Sequence, residues 1–204
     1  TYFRRPIFDY KMLLDLTDKG ISRSLWLYGE RELDHEWMLK KTLSPSDIVF
    51  DIGANIGYYV LMEKGILGKR GKVIAAEPSP RNIKLLEKNL KLNGVSNVKV
   101  LQCAISEEAG ERKFWLAEES NLNTFHQEFL REKSKAALGI TVEVRTVEDI
   151  WEGYGAFDYI RMDIEGHEVE VLGSIGKLVE DKGAKPKIIF ETHTRSYGPS
   201  HDIA

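Results

Sequence analysis

Short apolar runs alternate with stretches of helical periodicity along most of this chain, and that alternation is the signature of a parallel β-sheet covered by helices. The apolar runs open at Ile48, Lys72, Val98, Phe157 and Lys187, which gives five expected strands. Between the second and third, Ser79 stands as N-cap and Pro80 at the first helical position. Ile83, Leu86 and Leu90 fall on one stripe there, and Gly94 terminates it. After the fourth run, Val169, Leu172, Ile175 and Val179 recur at helical spacing ahead of Gly183, which predicts a second crossover helix.

Two regions depart from this rhythm. Residues 111–116 and 140–147 read as extra strands flanking a polar stretch, so 111–147 is expected to be a β-containing insertion before the fourth strand, with a short helix at 128–137. Its polar part, 118–139, is expected to hang over the carboxyl edge of the sheet as a lid that is mobile without ligand. Ahead of the sheet, residues 1–46 are expected to form a helical extension, with helices near Tyr10 to Asp18 and Arg31 to Leu43; residues 47–204 would be the ligand-binding domain.

Composition excludes several functions. Lys and Arg number 29 against 32 Asp and Glu, a formal net charge of -3, so no global basic field exists to hold a phosphate backbone and a dedicated nucleic-acid binder is not expected. Cys103 is the single cysteine, which rules out an internal disulfide, a thiolate zinc cluster and an iron–sulfur site, and suits a reducing cytoplasm. No run reaches the roughly 18 apolar residues of a membrane span, and Asp9 and Lys11 interrupt the opening where a signal peptide needs its apolar stretch. The first residue is Thr1 rather than Met, and the natural N-terminus is expected upstream.

Chemistry concentrates at the strand ends. The first strand runs into Asp51-Ile52-Gly53-Ala54-Asn55-Ile56-Gly57, where glycines let the backbone turn sharply and approach a ligand at a helix N-terminus. About 26 positions on, the second strand ends in Glu77, placed to accept the hydroxyls of an adenosine ribose. Either feature alone is weak, but together in a strand–turn–helix–strand context they point to an adenosine cofactor. A dinucleotide site wants G-x-G-x-x-G, whereas Ala54 and Asn55 stand between the glycines here and an acid precedes them. Asp51 suits a cofactor that presents an ammonium and a sulfonium, which is S-adenosyl-L-methionine.

These residues resemble the FkbM family of class I methyltransferases. The matching pieces are DIGANIGYYVL from Asp51, AAEPSP from Ala75, AIS from Ala104, MDIEGHE from Met162, VLGSIGKL from Val171 and IIFETH from Ile188. The glycine motif is widely shared, while the stretch from Asp163 to Glu168 is more selective. The resemblance implies a Rossmann-like, mostly parallel sheet with helices on both faces, and O-methyl transfer to a hydroxyl on a sugar or natural product. It implies cofactor contacts from Asp51, Gly53, Asn55, Gly57, Glu77, Ser79 and Ala104, with Asp163 facing the methionine end and the acceptor. The family's closing antiparallel strand pair has no room before Ala204, so a truncated chain is expected.

An alcohol needs a base, or a divalent ion that acidifies it. His167 and His193 are the expected bases, Asp163 the orienting group and Glu165 a further catalytic carboxylate. A magnesium-like site built from Asp163, Glu165, His167, Glu191 and His193 is the alternative, and the metal-free version is preferred. RNA methylation, an NAD-dependent oxidoreductase and a catalytically silent cofactor-binding module remain open as other functions. The acceptor's identity and the oligomeric state are not written in the sequence.

Overall fold

A computed structural model describes residues 2–127, 130 and 137–193. All five expected strands form: β3 (Ile48–Ile52), β4 (Lys72–Ala76), β5 (Val98–Leu101), β9 (Tyr159–Met162) and β10 (Lys187–Phe190). They make one parallel sheet in the order β10-β9-β3-β4-β5. Central strands are buried on both faces, so β3, β4 and β9 are apolar almost without interruption, as parallel sheets require. Alternate side chains feed two cores. Val49, Val73 and Ala75 join one cluster, and Phe50, Ile52, Ile74 and Ala76 join the other.

The first face is covered by α3 (Tyr58–Ile66) and α4 (Pro80–Leu92). In α4 the expected signals operate: Ser79 Oγ accepts the Asn82 N–H, Pro80 opens the helix, and Ile83, Leu86 and Leu90 are buried. The second face is covered by α5 (Val147–Tyr154) and α6 (Glu168–Lys182). Within α6 the buried apolar residues are Val171, Ile175 and Leu178, while Val179 is exposed, so the expected stripe is rotated. The strand expected at 140–147 is β8 (Leu138–Arg145); it ends before Thr146, which caps α5 in a capping box with Asp149 that pattern reading passed over.

The insertion folds as expected into strands, with β7 (Gly110–Leu116) antiparallel to β8 and a short β6 (Ala104–Ile105) added in the order β6-β8-β7. A 3-10 turn follows at Ser120–Leu122. The short helix expected at 128–137 lies almost wholly outside the described residues.

The N-terminal extension needs correction. Residues expected as a helix near Tyr10 to Asp18 instead form β2 (Tyr10–Asp15), paired antiparallel with β1 (Tyr2–Ile7). The reason is tertiary: Met12 and Leu14 are buried at a spacing of two, the period of a strand. The outer edge of β2 is bound by asparagines on α4, with the Leu13 N–H donating to Asn89 Oδ1 at 2.7 Å and Asn93 Nδ2 donating to the Lys11 carbonyl at 2.7 Å. Two helices follow, α1 (Ile21–Tyr28), which was not expected, and α2 (Leu33–Thr42), which was. Leu14, Leu25 and Leu39 pack into the same cluster as Val49 and Leu86, so the extension shares the sheet's core.

Candidate active site

The carboxyl ends of β3, β4, β5 and β9 open on a cavity. Gly53, Asn55, Glu77, Ala104, Phe114, Ser120, Phe125, Asp163, Glu165 and His167 contribute to its wall. A second hollow adjoins it and shares Gly53, Asn55, Asn121 and Asp163. Asp163 therefore stands where the two meet.

The glycine turn is shaped by backbone conformation. Gly53 has φ +84° and a Cβ there would lie 2.1 Å from the Asp163 carbonyl oxygen, so no side chain fits between the ends of β3 and β9. Gly57 has φ +88° and packs under Leu86 rather than lining either hollow. Asn55 adopts a left-handed φ of +49°, and its Nδ2 donates to the Ser120 carbonyl at 3.3 Å, fastening the turn to the insertion.

Glu77 is 4% exposed. Its Oε2 accepts the Asn55 N–H at 2.9 Å, and its Oε1 accepts the Ser79 N–H at 2.9 Å and Asn82 Nδ2 at 3.2 Å. A carboxylate offers about four acceptor positions, so one remains at Oε2 on the cavity side. Burial raises Glu77 to about 7 in spite of these donors. Ser79 caps α4 through its Oγ and donates its N–H to Glu77, and Ala104 and Ile105 join Phe114 and Phe125 in an apolar strip suited to a planar base. Cys103 touches the cavity as a buried thiol, which burial pushes up to about 12.

Asp51 sits differently from the expectation. It is fully buried, lies behind the turn and lines neither hollow. Sheet register sets its partner: Asp51 pairs across β3 and β9 with Arg161, whose Nη1 lies 3.3 Å from Asp51 Oδ1 and whose Nη2 lies 3.0 Å from Asp163 Oδ2. The guanidinium also stacks over Tyr59, 3.8 Å from the ring centroid. Near it lies buried Glu63, whose carboxyl is pushed well above the ordinary range by burial, reinforced by the Asp51 charge. A lone Arg in a buried strand and a lone Glu on a helix apolar all round were the sequence signals for this cluster, and pattern reading passed over both.

The residues after β9 and β10 do converge. His193 Nδ1 donates to Glu168 Oε1 at 2.9 Å, and its Nε2 lies 3.5 Å from Glu165 and 3.8 Å from Asp163. Burial works against its charge, but the Glu168 hydrogen bond and the surrounding carboxylates raise it to about 9, so His193 is a cation at neutral pH. A protonated imidazole does not receive an alcohol proton, so these surroundings suit His193 to a charge-stabilising part rather than to the expected part of base. His167 is the opposite case: burial lowers it to about 4, leaving a neutral ring 2.9 Å from Ser106 Oγ. Glu165 is partly exposed on the cavity wall with a left-handed φ of +53°, and burial raises it to about 7.

The insertion covers this cavity, and its first part is pinned. Asp18 is buried and accepts Ser120 N–H and Ser120 Oγ, each at 2.9 Å, along with the Gly20 and Ser22 N–H groups at 3.0 Å. Thr124 Oγ1 donates to the Glu165 carbonyl at 3.1 Å. The N-terminal extension thus holds the lid in place, and Arg31 and Glu32 line the second hollow. No sequence pattern marked Asp18 or Ser120, because their meeting depends on tertiary structure.

The residues fit an S-adenosylmethionine: a side-chain-free turn, a buried carboxylate with an open acceptor position, and an apolar strip for the base. Residues 51–203 match the methyltransferase FkbM domain. The chain is 29% identical over 178 residues to methyltransferase sdnD of Sordaria araneosa, covering 74% of this chain and 68% of that protein. It is 38% identical over 86 residues to 31-O-demethyl-FK506 methyltransferase FkbM of Streptomyces tacrolimicus, covering 41% of this chain and only 32% of that protein. A SAM-dependent methyltransferase from Agrobacterium tumefaciens superposes on 78% of this chain and 38% of its own, with 11% identity and a TM-score of 0.46. The chain belongs to the FkbM methyltransferase family, and its cofactor is S-adenosyl-L-methionine.

Proposed function

We propose that this protein methylates a hydroxyl group on a small, natural-product-like or sugar-like molecule. Residues 47–204 would form the cofactor-binding domain, with 1–46 completing its wall. The observation that carries the reading is the junction at Asp163, where the cavity containing Glu77 and the glycine turn opens beside a second hollow and a set of carboxylates. Bound in the first cavity, S-adenosylmethionine supplies an electrophilic methyl group. Glu77 holds the ribose, Gly53 and Asn55 present the turn, and Ala104, Phe114 and Phe125 enclose the adenine. Asp163, oriented by its ion pair with Arg161, positions the acceptor. Glu165, whose carboxyl group borders the same space, takes the hydroxyl proton, and cationic His193 beside it stabilises the carboxylate.

Charge supports a small acceptor over RNA. Asp163, Glu165, Glu168 and Glu191 surround His193, an acidic setting that repels phosphate. The name of the Streptomyces tacrolimicus relative describes methyl transfer to an oxygen, which agrees. Among the described residues no helix is long and apolar enough to cross a membrane, and a reducing compartment such as the cytoplasm suits the buried thiol. Turnover of a panel of hydroxylated compounds, read by mass detection of methylated products, tests the proposal. Glu165→Gln should slow turnover about 100-fold with cofactor affinity intact. Methylation of RNA with no product from the panel would refute it.

A further inference from the structure

We propose that His126, His167 and Glu170 form a divalent-metal site, suited to zinc, that clips the insertion onto the start of α6. Each residue offers one ligand atom, and the three atoms lie within 4.8 Å of one another. Small side-chain rotations bring such a set onto an ion with bonds of about 2.0 to 2.2 Å. Two imidazoles and one carboxylate are a donor set that zinc accepts, whereas magnesium and calcium demand oxygen ligands.

Three observations support it beyond the proximity. His167 is 4% exposed, and its Nδ1 is buried without a hydrogen bond, facing Glu170 Oε2 at 3.5 Å. In the tautomer whose Nε2 donates to Ser106, the Nδ1 lone pair aims at that carboxylate, a pairing that a cation between them satisfies. The other ring nitrogen is tethered, with Nε2 2.9 Å from Ser106 Oγ, which also accepts from Arg112 Nη1 at 3.1 Å. An outer hydrogen bond of that kind is how metal-bound histidines are fixed in tautomer and orientation. Finally, the ligands come from separate pieces of chain that need joining. His126 belongs to the insertion and its ring lies 5.8 Å from that of His167, with Phe125 shielding the same imidazole at 4.7 Å. His167 and Glu170 are three residues apart at the opening of α6, on one face.

This site differs from the acidic group around His193, and it does not depend on the acceptor proposed above. The test is cobalt(II) titration of protein freed of metal by a chelator, followed by visible absorption and by zinc competition. Wild type should show a saturable band at one equivalent that zinc abolishes, and zinc should raise its thermal midpoint. His126→Ala and the near-isosteric Glu170→Gln, each checked for folding by circular dichroism, should weaken binding at least about 100-fold and lose the thermal gain. No band at micromolar cobalt overturns the proposal, as does a band that survives both substitutions. A band lost in His193→Ala and kept in His126→Ala places the ion in the Asp163 group and also overturns it.

Discussion

Glu77 should make cofactor affinity depend on pH, most steeply around and below neutrality. Its carboxyl is raised to about 7 by burial, so in the free protein roughly half of the molecules carry it protonated at neutrality. A ribose hydroxyl needs an acceptor, and only the carboxylate keeps its remaining Oε2 position open as one. For a group of this pKa the ionised fraction falls from about 0.97 at pH ~8.5 to about 0.03 at pH ~5.5, which would weaken binding about 30-fold, or about 2 kcal/mol. Isothermal titration of the reaction product S-adenosylhomocysteine across that range should give a dissociation constant that rises as pH falls and levels off above neutrality. Glu165 borders the same cavity and is also raised, so the series is repeated in Glu165→Gln, which should keep the slope, and in Glu77→Gln, which should lose it. A flat profile in wild type, or a slope that disappears with Glu165→Gln and persists in Glu77→Gln, would refute the assignment of the β4 carboxylate to the ribose.

Other substitutions test the frame around the site. Gly53→Ala forces a methyl group against the Asp163 carbonyl at a positive φ and should cost at least about 2 kcal/mol by denaturant unfolding along with cofactor binding. Arg161→Met leaves Asp51 buried without its counter-ion, so chemical denaturation should show a loss of about 3 to 5 kcal/mol at neutral pH, shrinking as the medium is made acidic. His193 is raised above its ordinary value, so its contribution is complete below about pH 6.5 and is lost as pH climbs through about 9. Thermal midpoints should therefore drop over that interval in wild type and not in His193→Gln. Asp18→Ala releases Ser120 and should speed hydrogen exchange at 120–125 by 10-fold or more, as expected for loss of about 1 to 3 kcal/mol of hydrogen bonding.

The sheet was legible because parallel strands buried on both faces have no alternative to unbroken apolar runs, and Ser79, Pro80 and Gly94 mark helix ends through local chemistry alone. The hairpin was not legible. KMLL carries apolar residues that suit a helix or a strand equally, and Asn89 and Asn93, far along the chain, decide in favour of the strand. Glu77, Gly53 and Asp163 could be placed from strand-end position, whereas the protonation states of His167 and His193 could not. Both are strand- or helix-end histidines amid acids in the sequence, and only their surroundings separate them: burial outweighs the nearby Glu170 at His167, while the carboxylates around His193 outweigh burial. Asp51 stood out in the sequence, but its burial and its partner across the sheet, Arg161, did not.

The Asp18–Ser120 contact sets a rule for exchanging parts between relatives. An insertion over the active site is the natural piece to transplant when a different acceptor is wanted, and its strands β7 and β8 look self-contained. Yet Ser120 is bonded to Asp18 on one side and to Asn55 on the other, so the segment that bears on the acceptor also fixes the turn beneath the cofactor. A chimera joined at 111 and 147 would import a loop whose anchor remains behind in the host's first twenty residues. The transferable unit is discontinuous, and the residue corresponding to Asp18 has to travel with the loop it holds.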